Sequence, residues 1–218
     1  MPLPRPEDRA AIIAVLRDPA EDDTIRNHAA NILRNAGYER LTVELRGILE
    51  NSVESSKFRG WAMQHLGVAW LDAVRTQASD ALSLRDFLVA KVTDRDASVR
   101  REAVLALCRG SDPAGFAAVH AWFDDPAQKA MLDLAVRLAG ENNLRDCLPS
   151  IRRLAASEED DGVRIAAIRV LAQWRDQESR SVIAAAQKAK TTRVQKVAAA
   201  ALSVLNGAVF DDAWKDLP

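Results

Sequence analysis

The chain has 218 residues, 48% of them apolar and 28% charged, which is enough to bury the core of one soluble domain, with two domains possible. Thirty basic residues stand against thirty-one acidic ones, for a net charge of −1. Divided after Gly110, the basic and acidic counts are sixteen and sixteen, then fourteen and fifteen. Neither half has the cationic excess expected of a general nucleic-acid binder or a polybasic membrane surface.

Two cysteines, Cys108 and Cys147, are too few for a disulfide scaffold or a zinc ribbon. The opening MPLPRPEDR has no apolar stretch of the signal-peptide kind. The longest charge-free run, 197–210, falls short of the roughly 20 apolar residues that a membrane span needs. A cytoplasmic setting with reduced thiols is expected. Alanine supplies more than one residue in six, and β-branched alternation is nearly absent, so helices are favoured over strands.

Pro2, Pro4 and Pro6 mark residues 1–7 as a flexible or extended arm. From there a helical frame recurs: apolar, Arg, two free positions, Ala, three free positions, Leu. Its copies start at Ile25, Phe58, Val99 and Val163. Another at Val194 lacks the arginine, and a weaker one starts at Ala130. The intervals are 33, 41, 31, 33 and 31 residues, the size of one helix–turn–helix unit of an α-solenoid. Offsets 0, 4, 8 and 11 share one helix face, and the small Ala lets a neighbouring helix approach.

Each frame is read as the second helix of a pair. The first helices are expected over 8–17, 41–50, 84–92, 115–123, 144–156 and 179–189. Pro149 should kink the fifth of these or delay its start. The long second interval should extend its helix beyond Trp70. The tail 207–218 begins at Gly207, a helix stop, and is expected to cap the last repeat, with docking to another chain as the alternative. The whole of 1–218 is then one domain, an all-α, right-handed α-solenoid of about six helix pairs.

The Val-Arg-x-x-Ala-x-x-x-Leu helices, with Asp-rich turns before them, resemble the HEAT-repeat family, in particular the short HEAT-like repeats of the phycobilin-lyase type. The likeness spans about 8–205. It implies a superhelix whose second helices line a concave face, where ligands usually bind. The expected role is a non-catalytic scaffold that binds a peptide or helical segment of another protein on that face, with no cofactor. The alternatives are a HEAT-like DNA glycosylase or DNA-binding protein, and an accessory subunit of a lyase-type complex. Charge balance argues against nucleic acid, and nothing suggests a membrane.

Candidate partner-binding residues are Asn27, Asn31, Arg59, Trp61, Gln64, Arg101, Arg169 and Lys196. Most of these sit at offsets 2 and 6, away from the buried stripe, beside apolar Leu105, Val136 and Ile165. Trp61 and Trp70, with Gln64 and His65, form a candidate aromatic anchor. Arg26, Arg59, Arg100 and Arg164 share one offset. Three of them follow an acid by four residues (Asp22, Asp96, Asp160), which favours structural pairing. Arg59 has Ser55 there and is expected to be the free one.

For enzymatic chemistry the sequence offers little. His28, His65 and His120 are scattered over three repeats and lack the His-Glu pairing by which HEAT-repeat hydroxylases bind iron. No HExxH, no Cys/His cluster of metal spacing and no phosphate loop is present. The chain is therefore read as not an enzyme.

Overall fold

The structure, a computed structural model, describes residues 5–158 and 160–215. Residues 1–4 of the expected arm, 159 and 216–218 of the tail lie outside the described residues. Among the described residues every regular element is a helix, and the fold is an all-α solenoid of helix pairs.

Six pairs follow one another: α1 (Pro6–Arg17) with α2 (Asp23–Asn35), α3 (Leu41–Glu50) with α4 (Ser56–Thr76), and α5 (Ala81–Lys91) with α6 (Ala97–Arg109). They continue as α7 (Pro113–Asp124) with α8 (Leu132–Glu141), α9 (Leu148–Ala156) with α10 (Asp161–Gln173), and α11 (Arg180–Ala186) with α12 (Thr192–Leu205). A short α13 (Phe210–Trp214) packs on α12.

The proline at position 149 delays its helix as expected: a 3-10 turn over Arg145–Cys147 precedes α9, and Pro149 sits in the first turn, where no backbone N–H is needed. The long interval becomes α4, which runs six residues past Trp70.

Side-chain caps start three of the second helices, and left-handed residues end all six. Asp22 accepts from the Thr24 amide at 2.7 Å, Ser55 from Phe58 at 3.0 Å, and Asp160 from Val163 at 3.0 Å. All six second helices stop at a residue of positive φ: Gly37, Gln77, Ser111, Asn143, Arg175 and Gly207. After each, the next amide reaches back five residues, as from Tyr38 to the Leu33 carbonyl and from Asp112 to the Leu107 carbonyl. This is the Schellman closure. It is a second repeat signature, and four of its six left-handed positions are not glycine.

By internal packing the chain divides into two compact units, 1–115 and 116–218. The first has a core around Leu16, Leu33, Leu45, Phe58, Leu66 and Leu107. The second buries Trp122, Leu138, Ile151, Leu171, Trp174 and Ile183. Val136 of α8 and Ile165 of α10, expected on the outer face, are buried as well, because the two helices pack against each other and α10 carries apolar residues round most of its circumference.

Candidate functional site

The arginines of the repeat frame are structural, and their partners are not the acids four residues earlier. Arg26, 1% exposed, grips Glu54 with two bonds of 2.7 and 2.8 Å, donates to the Leu16 carbonyl at 3.1 Å and lies 3.9 Å from the centre of the Phe58 ring. Breaking such a buried pair costs about 3–5 kcal/mol. Arg164 donates to the Ala155 carbonyl, and Arg100 to those of Asp94 and Arg95. Asp22 and Asp160 cap their own helices instead.

The expectation that Arg59 is free is corrected. It is 3% exposed and bound to Asp94 at 3.0 Å and Asp96 at 2.9 Å. Sequence spacing missed this because both acids lie about one repeat away.

The other expected partner-binding residues fall in different settings. His65, 4% exposed, joins a buried network. Arg34 donates to its Nδ1 at 3.3 Å, so the imidazole proton sits on Nε2 and is donated to Asn27 Oδ1 at 2.9 Å. Asn31 donates to the Asn27 carbonyl and accepts from Arg34, both at 3.0 Å. Burial, helped by the Arg34 charge, pushes the His65 pKa down to about 4.

Asn27 thus ties α2 to α4, while the Asn31 bonds stay within α2. Trp70 is buried beside Gly110, where any Cβ would come within 2.2 Å of its ring. The aromatic anchor is therefore not assembled: Trp61 is half-buried under Lys57, and Gln64 is exposed. Arg101 is exposed and bonds Glu102, Arg169 lies 5.0 Å over the Trp214 ring, and Lys196 is exposed.

In the second unit three side chains with metal-binding donor atoms meet. His120 projects from α7, while Asp146 and Cys147 occupy the 3-10 turn that leads into α9. His120 Nε2 lies 3.0 Å from Asp146 Oδ2 and 3.7 Å from Cys147 Sγ. All three donor atoms lie within 4.8 Å of one another. Asp146 is exposed, His120 half-buried and Cys147 2% exposed. Burial, then the charges of Asp146 and Asp124, pushes the Cys147 thiol up to about 12.

That thiol stays protonated near neutrality, which argues against a free thiolate nucleophile in a Cys-His-Asp triad. The cluster corrects the expectation that no Cys/His group has metal spacing. The signal lay in the stacking register: His120 and Cys147 are 27 residues apart, as are the pairs Arg17–Glu44 and Arg85–Asp112. Local motif spacing does not sample that distance.

No protein-family model matches the chain, and no curated protein matches it. Among solved structures it is similar to human deoxyhypusine hydroxylase in complex with glycerol, with 14% identity, 93% of this chain and 97% of that chain covered, and a TM-score of 0.45. The expectation of a non-catalytic scaffold, and of a chain that is not an enzyme, is corrected. The second unit gathers a His/Asp/Cys donor group that the sequence reading lacked. Among the described residues no helix is long and apolar enough to cross a membrane.

Proposed function

We propose that the chain is a metal-dependent enzyme whose centre is a divalent transition ion of the zinc class, held by His120, Asp146 and Cys147. The observation that carries this reading is the approach of one nitrogen, one oxygen and one sulfur donor to within 4.8 Å of one another. Tetrahedral zinc with bonds of roughly 2.0–2.3 Å needs donor–donor edges of about 3.5 Å. The N···O and N···S distances of 3.0 and 3.7 Å are already near that value, and the exposed Asp146 can rotate to close the rest.

Three protein ligands leave a coordination position open, the arrangement of catalytic rather than structural zinc. The ion would supply Lewis acidity to a bound water or to a substrate oxygen. Asp124, one turn after His120 on α7, adds negative charge that favours a cation. The short, phycobilin-lyase type of repeat is supported by the frame intervals of 31–41 residues and the recurrent arginine.

Titration with Co(II) tests the metal reading. The expected result is one equivalent bound, with a thiolate-to-cobalt absorption band that Cys147→Ser abolishes and His120→Ala weakens. Because the thiol titrates near 12, binding releases a proton, and affinity should rise about tenfold per pH unit through neutrality. Binding without the thiolate band, or binding unchanged in both variants, would overturn the assignment.

A further inference from the structure

A groove of about 470 Å³ opens in the second unit between α8, α10, α12 and α13, a volume in the range of small-molecule sites. Its floor is apolar: Ile165, Ala166 and Val170 of α10 line it, and Phe210 of α13 closes one side. Above this floor stand three guanidinium groups from three different helices.

Arg137 and Arg169 each stand six residues before the left-handed residue that ends their helix, Asn143 and Arg175, and so occupy equivalent positions in successive second helices, 32 residues apart. Stacking of repeats therefore sets them side by side. Arg193 joins from the first turn of α12.

Charge pairing inside the groove is incomplete. Arg137 is held by Asp133 at 2.8 Å. Arg169 is stacked over Trp214, which fixes its plane without neutralising it. Arg193 has no hydrogen-bond or ion-pair partner among the described residues. Glu141 is the remaining acid in the lining, so one acid faces two cations that no carboxylate holds. A planar guanidinium presents a fork of donors that matches carboxylate and phosphate oxygens.

We propose that this groove binds an organic anion: a carboxylate or phosphate group held by Arg169 and Arg193, carried on an apolar, ring-sized body that lies on Ile165, Ala166 and Val170 against Phe210. The site is separate in its residues from the His120 cluster and stands whether or not that cluster holds a metal.

Calorimetric titration of the full chain at low ionic strength, with phenyl phosphate and phenylacetate as probes, tests this. At least one of the two should bind saturably, and their order says which acid group the site prefers. Inorganic phosphate, which lacks the ring, and benzyl alcohol, which lacks the charge, should each bind at least tenfold more weakly.

Arg169→Gln and Arg193→Gln should each weaken the better probe about tenfold. Lys188→Gln, the same charge change outside the groove, should leave it unaltered. Arg193 is exposed and unpartnered, so its substitution does not threaten folding, and a helical circular-dichroism spectrum checks this. No saturation by either anion up to about 10 mM, equal binding of benzyl alcohol, or full binding by both arginine variants would overturn the proposal.

Discussion

His65 shows how one residue turns packing into a pH-dependent property. Its ring is buried between Asn27 and Arg34, and the folded state holds its pKa near 4 against an ordinary 6.5. A base whose folded pKa is depressed contributes its full stability above the unfolded value. That contribution is lost as the pH falls from 6.5 towards 4, because the unfolded chain takes up the proton first. The difference bounds the loss at about 3 kcal/mol. Urea unfolding of wild type and His65→Gln over this range should show a steeper acid-side loss in wild type. Parallel profiles would mean that the imidazole is not held neutral.

At the scale of elements, packing of α4 on α6 depends on a missing side chain. A Cβ on Gly67 would stand 2.6 Å from the Ala106 Cβ, a contact that neither helix can relieve by rotating a side chain. Gly67→Ala gains about 1 kcal/mol of helix propensity but costs about 1–3 kcal/mol in overpacking. The net effect should be destabilising, with partial recovery in the Gly67→Ala, Ala106→Gly double variant. Gly47 in α3 has nothing within 4 Å of its Cβ position, so Gly47→Ala should stabilise by about 0.5–1 kcal/mol. Denaturation midpoints of the three variants check both signs, and the same sign at the two glycines would contradict the packing described.

At the scale of the molecule, stability is local because each repeat packs on its neighbours. Residues 1–115 form a compact unit with their own apolar core. The fragment 1–115 should therefore give a helical circular-dichroism spectrum and a cooperative urea transition. A featureless, gradual loss of signal would show that this core does not stand alone. The tail belongs to the second unit: Trp214 is buried, its ring tilted against that of Phe210 at 5.4 Å, and covered by Arg169.

The sequence by itself determined the all-α class, the register of five of the six second helices, the late start of α9 and the extension of α4; the weak copy at Ala130 was one residue early, since Met131, Ala135 and Ala139 are the buried positions there. These follow from periodicity, alanine spacing and proline chemistry, which act within one turn or one repeat. Gly207 was legible as a stop for the same reason, whereas Gln77, Ser111 and Arg175 take the left-handed conformation with no local chemical mark.

What the tertiary structure decided is which side chains meet. Asp94 and Asp96 reach Arg59, Glu54 reaches Arg26, and Asp146 with Cys147 reaches His120, across separations set by helix length and loop length together. Burial then assigned their states: a paired guanidinium at Arg59, a neutral imidazole at His65 and a protonated thiol at Cys147. The physical reason is that donor geometry and desolvation are properties of stacked repeats, and neither is expressed in the local spacing of residues along one helix.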